Sequence, residues 1–402
     1  MISKKILVLN CGSSSLKYKI ISMPSEEVIL FGEAQRVGNR SQEASTIIHT
    51  VMGNTRIVEV SMPDHGVALK KVLELIAEDA GEDKTIGFDL FAHRYVNPGS
   101  IFNKPQKIDA DTLKKLGETL PFAPLHNPII YNLVKFCHNE FPKIEQIVVF
   151  DTSFHKTIPP EFSTYALSRK ITKKYNIRKI GFHGLSHQYV MEEACRILDV
   201  KQSSQKIISC HLGTGGSSIC AIENGKSINN SMGFTPLEGL MMNTRCGDVD
   251  TGLLFYLMFK EQFSSEETEA ILNKKSGILG VFNDSSDLRD VIRHVSSNVK
   301  AKMAFNMYVR RVRAYIGFYS LILKKANIVI FTDSLGCESA PLREAICADM
   351  GCLGVAIDRT KNADYRQGIG MISSDKSDAK ILIIPTDEEK MIVRKAYKEM
   401  RK

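Results

Sequence analysis

Several short stretches of this chain carry residue types suited to handling phosphate. The first is Asn10-Cys11-Gly12-Ser13-Ser14-Ser15-Leu16-Lys17. A turn of glycine and serines can aim backbone N–H groups and the hydroxyls of Ser13 and Ser15 at an anion. Asn10 offers an oxygen to a metal or its waters, and Lys17 a mobile positive charge. An ordinary tight hairpin with a polar turn is the other reading of the same residues. Further on, Arg94 ends an apolar run, where a charge is costly without an anionic partner unless it reaches solvent. Asp151 follows another apolar run, at the end of a strand where open α/β sheets place their chemistry. His183 and His187 have a spacing that a metal pair can use, but the glutamate of the zinc-protease motif is missing and no third ligand is near, so zinc is discounted.

The elements that must position these residues follow from periodicity. Ile6–Leu9 is continuously apolar, and Leu16, Tyr18 and Ile20 alternate with Lys17 and Lys19, so the opening reads as strand, turn, strand. A Walker loop would open a helix and end in Gly-Lys-Ser/Thr. Strands are expected at 28–32, 45–50, 55–60, 86–96, 144–150, 177–182, 327–332 and 380–385. Helices are expected at 66–80, after His187 to Leu198, in a portion from Leu253 to about Val299 broken at Gly277, Gly280 and the polar run Asn283–Asp287, and at 301–325. Thr386 with Glu389 three residues on reads as a capping box that gives Glu389 a structural role and leaves Glu388 for other work.

Lys206–Ile222 repeats the opening pattern around His211-Leu212-Gly213-Thr214-Gly215, and the copies begin about 200 residues apart, which implies two related domains, each with a phosphate loop. At 402 residues the chain exceeds the size at which one core stops growing. The two domains are expected to be 1–150 with a returning C-terminal helix at 386–402, and 151–385. Nine cysteines without a repeating spacing argue for a reducing compartment, and no signal-length apolar segment opens the chain, so a cytoplasmic protein is expected. The net charge of +8 is scattered among acidic residues, apart from a basic run at Arg394–Lys402 that reads as a solvated helix face. Neither nucleic acid nor membrane is expected as a partner.

Taken together these blocks resemble acetate kinase, within the superfamily of acetate and sugar kinases, Hsp70 and actin. The resemblance is carried by Asn10–Lys17, Asp151–His155, Phe182–His187, Ser231–Gly239 and Thr244–Asp250. It implies an α/β chain of two duplicated actin-like (ribonuclease H-like) domains with an interdomain cleft, and reversible phosphoryl transfer from ATP to acetate, giving acetyl phosphate and ADP. By motif, Asn10 and Glu388 would hold Mg²⁺, with Mn²⁺ as an alternative. Arg94 and Arg245 would flank the acyl and phosphoryl oxygens, with Asp151 and His183 at the reacting centre. Lys17, Ser13, Ser15, His211–Gly215, Asp287, Leu288, Arg289 and the run Ser334, Leu335, Gly336, Cys337 and Glu338 would line the nucleotide. Val96, Leu125, Phe182 and Pro236 would form the pocket for the substrate methyl. The resemblance also suggests a homodimer. The physics agrees with these roles: phosphoryl transfer is mostly positioning plus positive charge, and a carboxylate nucleophile needs no strong base. Asp151 then reads as an organiser of an arginine or a metal water.

The departures from the family pattern concentrate on the donor side. Thr214 replaces an asparagine, Ser334 a glycine and Glu338 a neutral amide, while Tyr95-Val96-Asn97-Pro98-Gly99 replaces Val-Val-His-Gly-Gly. These keep pyrophosphate open as donor, and propionate stays open as acceptor, because one methylene is worth only about 1–3 kcal/mol. A non-kinase alternative is an actin- or Hsp70-like ATPase, which has no use for the two arginines or the methyl pocket.

Overall fold

A computed structural model describes residues 3–38, 44–80, 87–124 and 126–402. The chain divides into two compact units, Met1–Ser153 with Asp387–Lys402, and Phe154–Thr386. Contacts therefore group Asp151 with the first unit.

The first unit holds an eight-stranded sheet in the order β5-β4-β3-β2-β1-β6-β8-β7. Its strands are β1 (Lys4–Cys11), β2 (Ser15–Met23), β3 (Glu27–Gln35), β4 (Thr46–Val51), β5 (Asn54–Glu59), β6 (Leu90–Tyr95), β7 (Gln106–Lys107) and β8 (Glu145–Phe150). β1 is central because Ile6–Leu9 can be covered on both faces, and all four are buried. The strand expected from 86 is shorter, and Ile86 lies outside the described residues. β1 to β5 form an antiparallel meander, whereas β6 and β8 run parallel to β1. The carboxyl ends of β1, β6 and β8 therefore lie side by side, with Leu9 opposite His93 and Arg94 opposite Val149.

The second unit repeats the plan with β9 (Lys206–Leu212), β10 (Ser217–Glu223), β11 (Lys226–Asn230), β12 (Ile328–Thr332), β13 (Gly370–Met371) and β14 (Lys380–Ile383), in the order β11-β10-β9-β12-β14-β13. Again an antiparallel hairpin leads, and β12 and β14 run parallel to β9. The two hairpin turns match residue for residue. Cys11 pairs with Leu16 across residues 12–15, and Leu212 with Ser217 across residues 213–216. Each turn is closed by its glycine N–H, Gly12 to Ser15 O (2.8 Å) and Gly213 to Gly216 O (3.2 Å). The duplicated α/β architecture expected from the repeat is what the chain adopts.

Four expectations are corrected. Residues 177–182 form no strand; the N–H groups of Ile180 and Gly181 both donate to Gly233 O, and Gly181 takes a left-handed φ of +74° where a Cβ would meet the His155 ring. Gly280 breaks nothing; it lies inside the helix Gly277–Phe282 that Gly277 opens. The long helix runs Val299–Ile322, because Asn298 caps the Lys300 and Ala301 N–H groups and Lys324 and Lys325 turn to positive φ. Its Ala301, Ala304, Tyr308, Val312, Ile316 and Tyr319 face the sheet core around Ile208, Ile219 and Val329 at helical spacing. Finally, the terminal helix Glu388–Met400 is capped by Asp387, which accepts from Lys390 N–H, and Thr386 makes no capping box.

Candidate active site

In the first unit, the aligned strand ends bring Arg94 onto two carboxylates. Arg94 Nη2 donates to Asp151 Oδ2 at 3.2 Å, and Arg94 Nε lies 3.4 Å from Glu388 Oε2 in the first turn of the terminal helix. Burial works against the Arg94 charge, but Glu388, Asp151 and Glu389 outweigh it and raise its pKa above the ordinary value. The planar fork of arginine can hold such a pair while presenting further N–H donors.

Glu389, assigned to a cap by the sequence, belongs to this edge instead. Its Oε1 accepts from Asn10 Nδ2 at 3.0 Å, and its Oε2 lies 3.8 Å from Lys19 Nζ. Burial would raise its pKa, yet Lys19 and the Asn10 hydrogen bond hold it below the usual carboxylate range. Lys19 also donates to Asp387 at 3.1 Å. Lys17 and Lys19 line a cavity of about 240 Å³ with Phe31, Glu33 and Glu389. Ser13 is exposed and Ser15 half-buried in the turn.

In the second unit, His183 takes a left-handed φ of 57° immediately before the helix Gly184–Ile197. Its Nδ1 is hydrogen-bonded to Ser218 Oγ at 2.9 Å, and its ring stacks on His211 with centroids 4.1 Å apart. Gly216, in the second glycine turn, faces both His183 and Arg245: a Cβ built there would lie 3.5 Å from Arg245 Nη1 and 3.6 Å from His183 Nε2. Arg245 donates to Pro236 O at 3.4 Å and touches the Met242 sulfur at 3.7 Å. Among the described residues it makes no ion pair, and burial lowers its pKa. A guanidinium beside a glycine turn, with neutral partners only, is a natural place for an oxyanion.

His211 Nδ1 is hydrogen-bonded to Ser186 Oγ at 2.8 Å, and its Nε2 lies 3.1 Å from Asp333 Oδ2. Asp333 follows β12 at a positive φ of 63° and opens the short helix Asp333–Glu338. The Asp333 carboxylate explains Gly213, where a Cβ would lie 2.0 Å from Oδ2. Thr214 N–H donates to Ser334 Oγ at 3.2 Å. Leu335 and Gly336 are buried and Cys337 half-buried; the fully buried Arg343 clamps that helix by donating to Gly336 O and Cys337 O at 3.0 and 2.7 Å. Asp287 caps the helix Leu288–His294 and pairs with Arg289 at 2.6 Å, while Arg289 reaches Glu338 at 3.9 Å.

The residues expected around a substrate methyl fall in different units. Val96 is buried in the first, and its carbonyl accepts from Thr152 N–H at 3.4 Å. Phe182 is buried in the second, its carbonyl held by Asn230 Nδ2 at 3.1 Å. Pro236 lies with Arg245, and Leu125 lies outside the described residues.

The Acetokinase family profile matches residues 5–394. The chain belongs to the acetokinase family. It is 41% identical to the acetate kinase of Alkaliphilus metalliredigens over 394 residues, covering 97% of this chain and 98% of that relative. Among solved structures, it is similar to Porphyromonas gingivalis acetate kinase (TM-score 0.90, 36% identity, 99% of this chain and 100% of that one). It is also similar to a propionate kinase from Francisella tularensis (TM-score 0.89, 34% identity, 98% of each chain). The duplicated sheets are accordingly those of the actin-like fold. Within this acetokinase chain, sequence reasoning missed Glu389, Asp333 and the serines that hold the histidines. Only a residue far along the chain reveals each of them.

Proposed function

We propose that the chain transfers a phosphoryl group reversibly between ATP and acetate. The observation that carries this reading is the convergence of Arg245 and His183 on the Gly216 turn, a cation and an N–H-bearing ring beside backbone suited to phosphate. In the forward direction an acetate oxygen attacks the γ-phosphorus, a new P–O bond forms, and the bond to the ADP oxygen breaks. The nucleophile is already ionised at neutral pH, so the protein's task is to hold charge where the equatorial oxygens develop it. Arg94 and Arg245 supply that charge. Asp151 fixes the plane of Arg94 and need not take a proton. His183 contributes a hydrogen bond to the transferring group.

The oxygen donors on the first unit's edge suit Mg²⁺, a hard cation that takes few protein ligands and keeps waters. With Asn10 Nδ2 committed to Glu389, its Oδ1 is the atom a cation would take, alongside the Glu388 carboxylate. When bound, the metal neutralises charge on the donor phosphates.

The test is to trap acyl phosphate as its hydroxamate, supplying acetate or propionate with ATP or pyrophosphate. Hydroxamate from acetate and ATP is expected; none with any donor would overturn the reading. Ser334 occupying the Thr214 N–H favours a second reading, in which pyrophosphate is the donor, and the same assay separates the two.

A homodimer within a reducing, cytoplasmic setting fits the surface. Among the described residues no helix is long and apolar enough to cross a membrane, and all nine cysteines are free thiols. The helix Thr251–Phe259 buries none of its side chains, leaving Phe255 and Phe259 exposed at 59% and 71%. Phe255→Glu with Phe259→Glu is expected to halve the mass in sedimentation. An unchanged mass would place the dimer contact elsewhere.

A further inference from the structure

The second unit contains a chain of hydrogen bonds that ends on His183, and counting its hydrogens fixes which way it runs. Ser209 Oγ lies 2.8 Å from His187 Nδ1, His187 Nε2 lies 2.8 Å from Ser218 Oγ, and Ser218 Oγ lies 2.9 Å from His183 Nδ1. Ser209, Ser218 and His187 are all fully buried. Burial, with the neighbouring His155 and His211 rings, holds the His187 pKa well below its ordinary value, so this ring is neutral and carries one N–H.

Three arrangements are then open, and the one in which both rings donate to Ser218 leaves the Ser218 hydroxyl hydrogen with no acceptor among the described residues, so two remain to be compared. In one, Ser209 donates to His187 Nδ1, His187 Nε2–H donates to Ser218, and the Ser218 hydroxyl donates to His183 Nδ1. In the reverse, His187 Nδ1–H donates to Ser209, and the Ser209 hydroxyl has no acceptor among the described residues. A buried hydroxyl hydrogen left unmatched costs about 1–3 kcal/mol. The first arrangement matches every hydrogen of the three residues, so it wins.

We propose that Ser209, His187 and Ser218 are positioning residues that hold His183 as the neutral tautomer with its proton on Nε2, the nitrogen turned toward Gly216 and Arg245. His183 then acts as a hydrogen-bond donor to the transferring phosphoryl group, with no lone pair on Nε2 to act as a base. A donor aimed before the reaction costs no reorganisation during it. The assignment rests on the reading of His183 as a site residue only for its consequence in catalysis; the tautomer itself is a property of the resting protein.

The experiment is ¹⁵N NMR of the full chain labelled at histidine, without substrate, with His183 assigned by its loss in His183→Gln. The wild type is expected to show a protonated-type signal at His183 Nε2 and an acceptor-type signal at Nδ1. A protonated Nδ1 would overturn the proposal, whatever reaction the chain catalyses. In Ser218→Ala the preference is expected to disappear, and kcat to fall on the order of tenfold or more with KM nearly unchanged. Ser218→Thr, which restores the hydroxyl, is expected to recover both. An Ala variant with an unchanged tautomer and unchanged kcat would also overturn it. Should that variant fail to fold, the wild-type spectrum alone decides. Absence of acyl phosphate in the wild type would remove the catalytic reading of His183 and leave the tautomer result standing.

Discussion

Arg94→Ala is expected to lose roughly two to three orders of magnitude in kcat and to melt at lower denaturant than the wild type. The rate loss follows from removing a fixed cation from developing phosphoryl charge, an effect on the order of 10²–10³ for one such donor. The stability loss has a separate origin. The Arg94 side chain is 17% exposed and Asp151 only 2%, so deleting the guanidinium takes a cation away from a buried carboxylate and from Glu388 beside it. Breaking a buried pair from one side costs about 3–5 kcal/mol. Arg94→Lys restores the charge but not the fork that spans Asp151 and Glu388, so it is expected to recover stability more fully than rate. The checks are urea unfolding and the hydroxamate assay on each variant. Near-normal turnover in a folded Arg94→Ala protein would remove this residue from the transfer step.

What the sequence made legible is what local rules can see. The two glycine turns were readable because apolar alternation and turn residues are properties of a dozen neighbouring positions. The place of Arg94 at the end of an apolar strand leaves two outcomes open, an anionic partner or solvent. That the partner is Asp151 depends on the parallel register of β6 and β8, which no local pattern carries. Glu389 shows the opposite failure. A threonine three residues ahead made it look like a cap, but Asp387 takes the cap and Glu389 is drawn to Asn10, 379 residues away. Ser209 and Ser218 sit inside strands, where a polar residue carries no signal until its facing histidine is known. The stretch 177–182 reads as a strand from its residue types, and it fails because its N–H groups go to scattered carbonyls, Ile177 to Thr172, Lys179 to Ser163, and Ile180 and Gly181 to Gly233. The altered positions Thr214 and Ser334 looked like independent departures, yet they touch across 120 residues. The contact uses the Thr214 backbone N–H, so the hydroxyl at 334 reaches the glycine turn whatever side chain stands at 214.

Arg245→Ala is expected to show a comparable loss of rate with no loss of stability, and this contrast separates the two arginines. Arg245 has a carbonyl at 3.4 Å and a sulfur at 3.7 Å as partners, and burial lowers its pKa. Unlike Arg94, it is paired with no carboxylate among the described residues, so its removal breaks no ion pair there. A half-buried cation without a counter-ion opposes folding, so its loss is expected to leave the unfolding midpoint unchanged or slightly raised. The guanidinium stays charged at neutral pH, so the position holds positive potential that only an incoming anion would satisfy. Millimolar guanidinium ion added to Arg245→Ala is then expected to restore part of the lost kcat by filling the vacated space. It would do much less for Arg94→Ala, where the ion must also bridge two carboxylates. A destabilised Arg245→Ala protein would show that the side chain serves the fold. A stable one with full turnover would show that the Gly216 turn does not hold the transferring phosphoryl group.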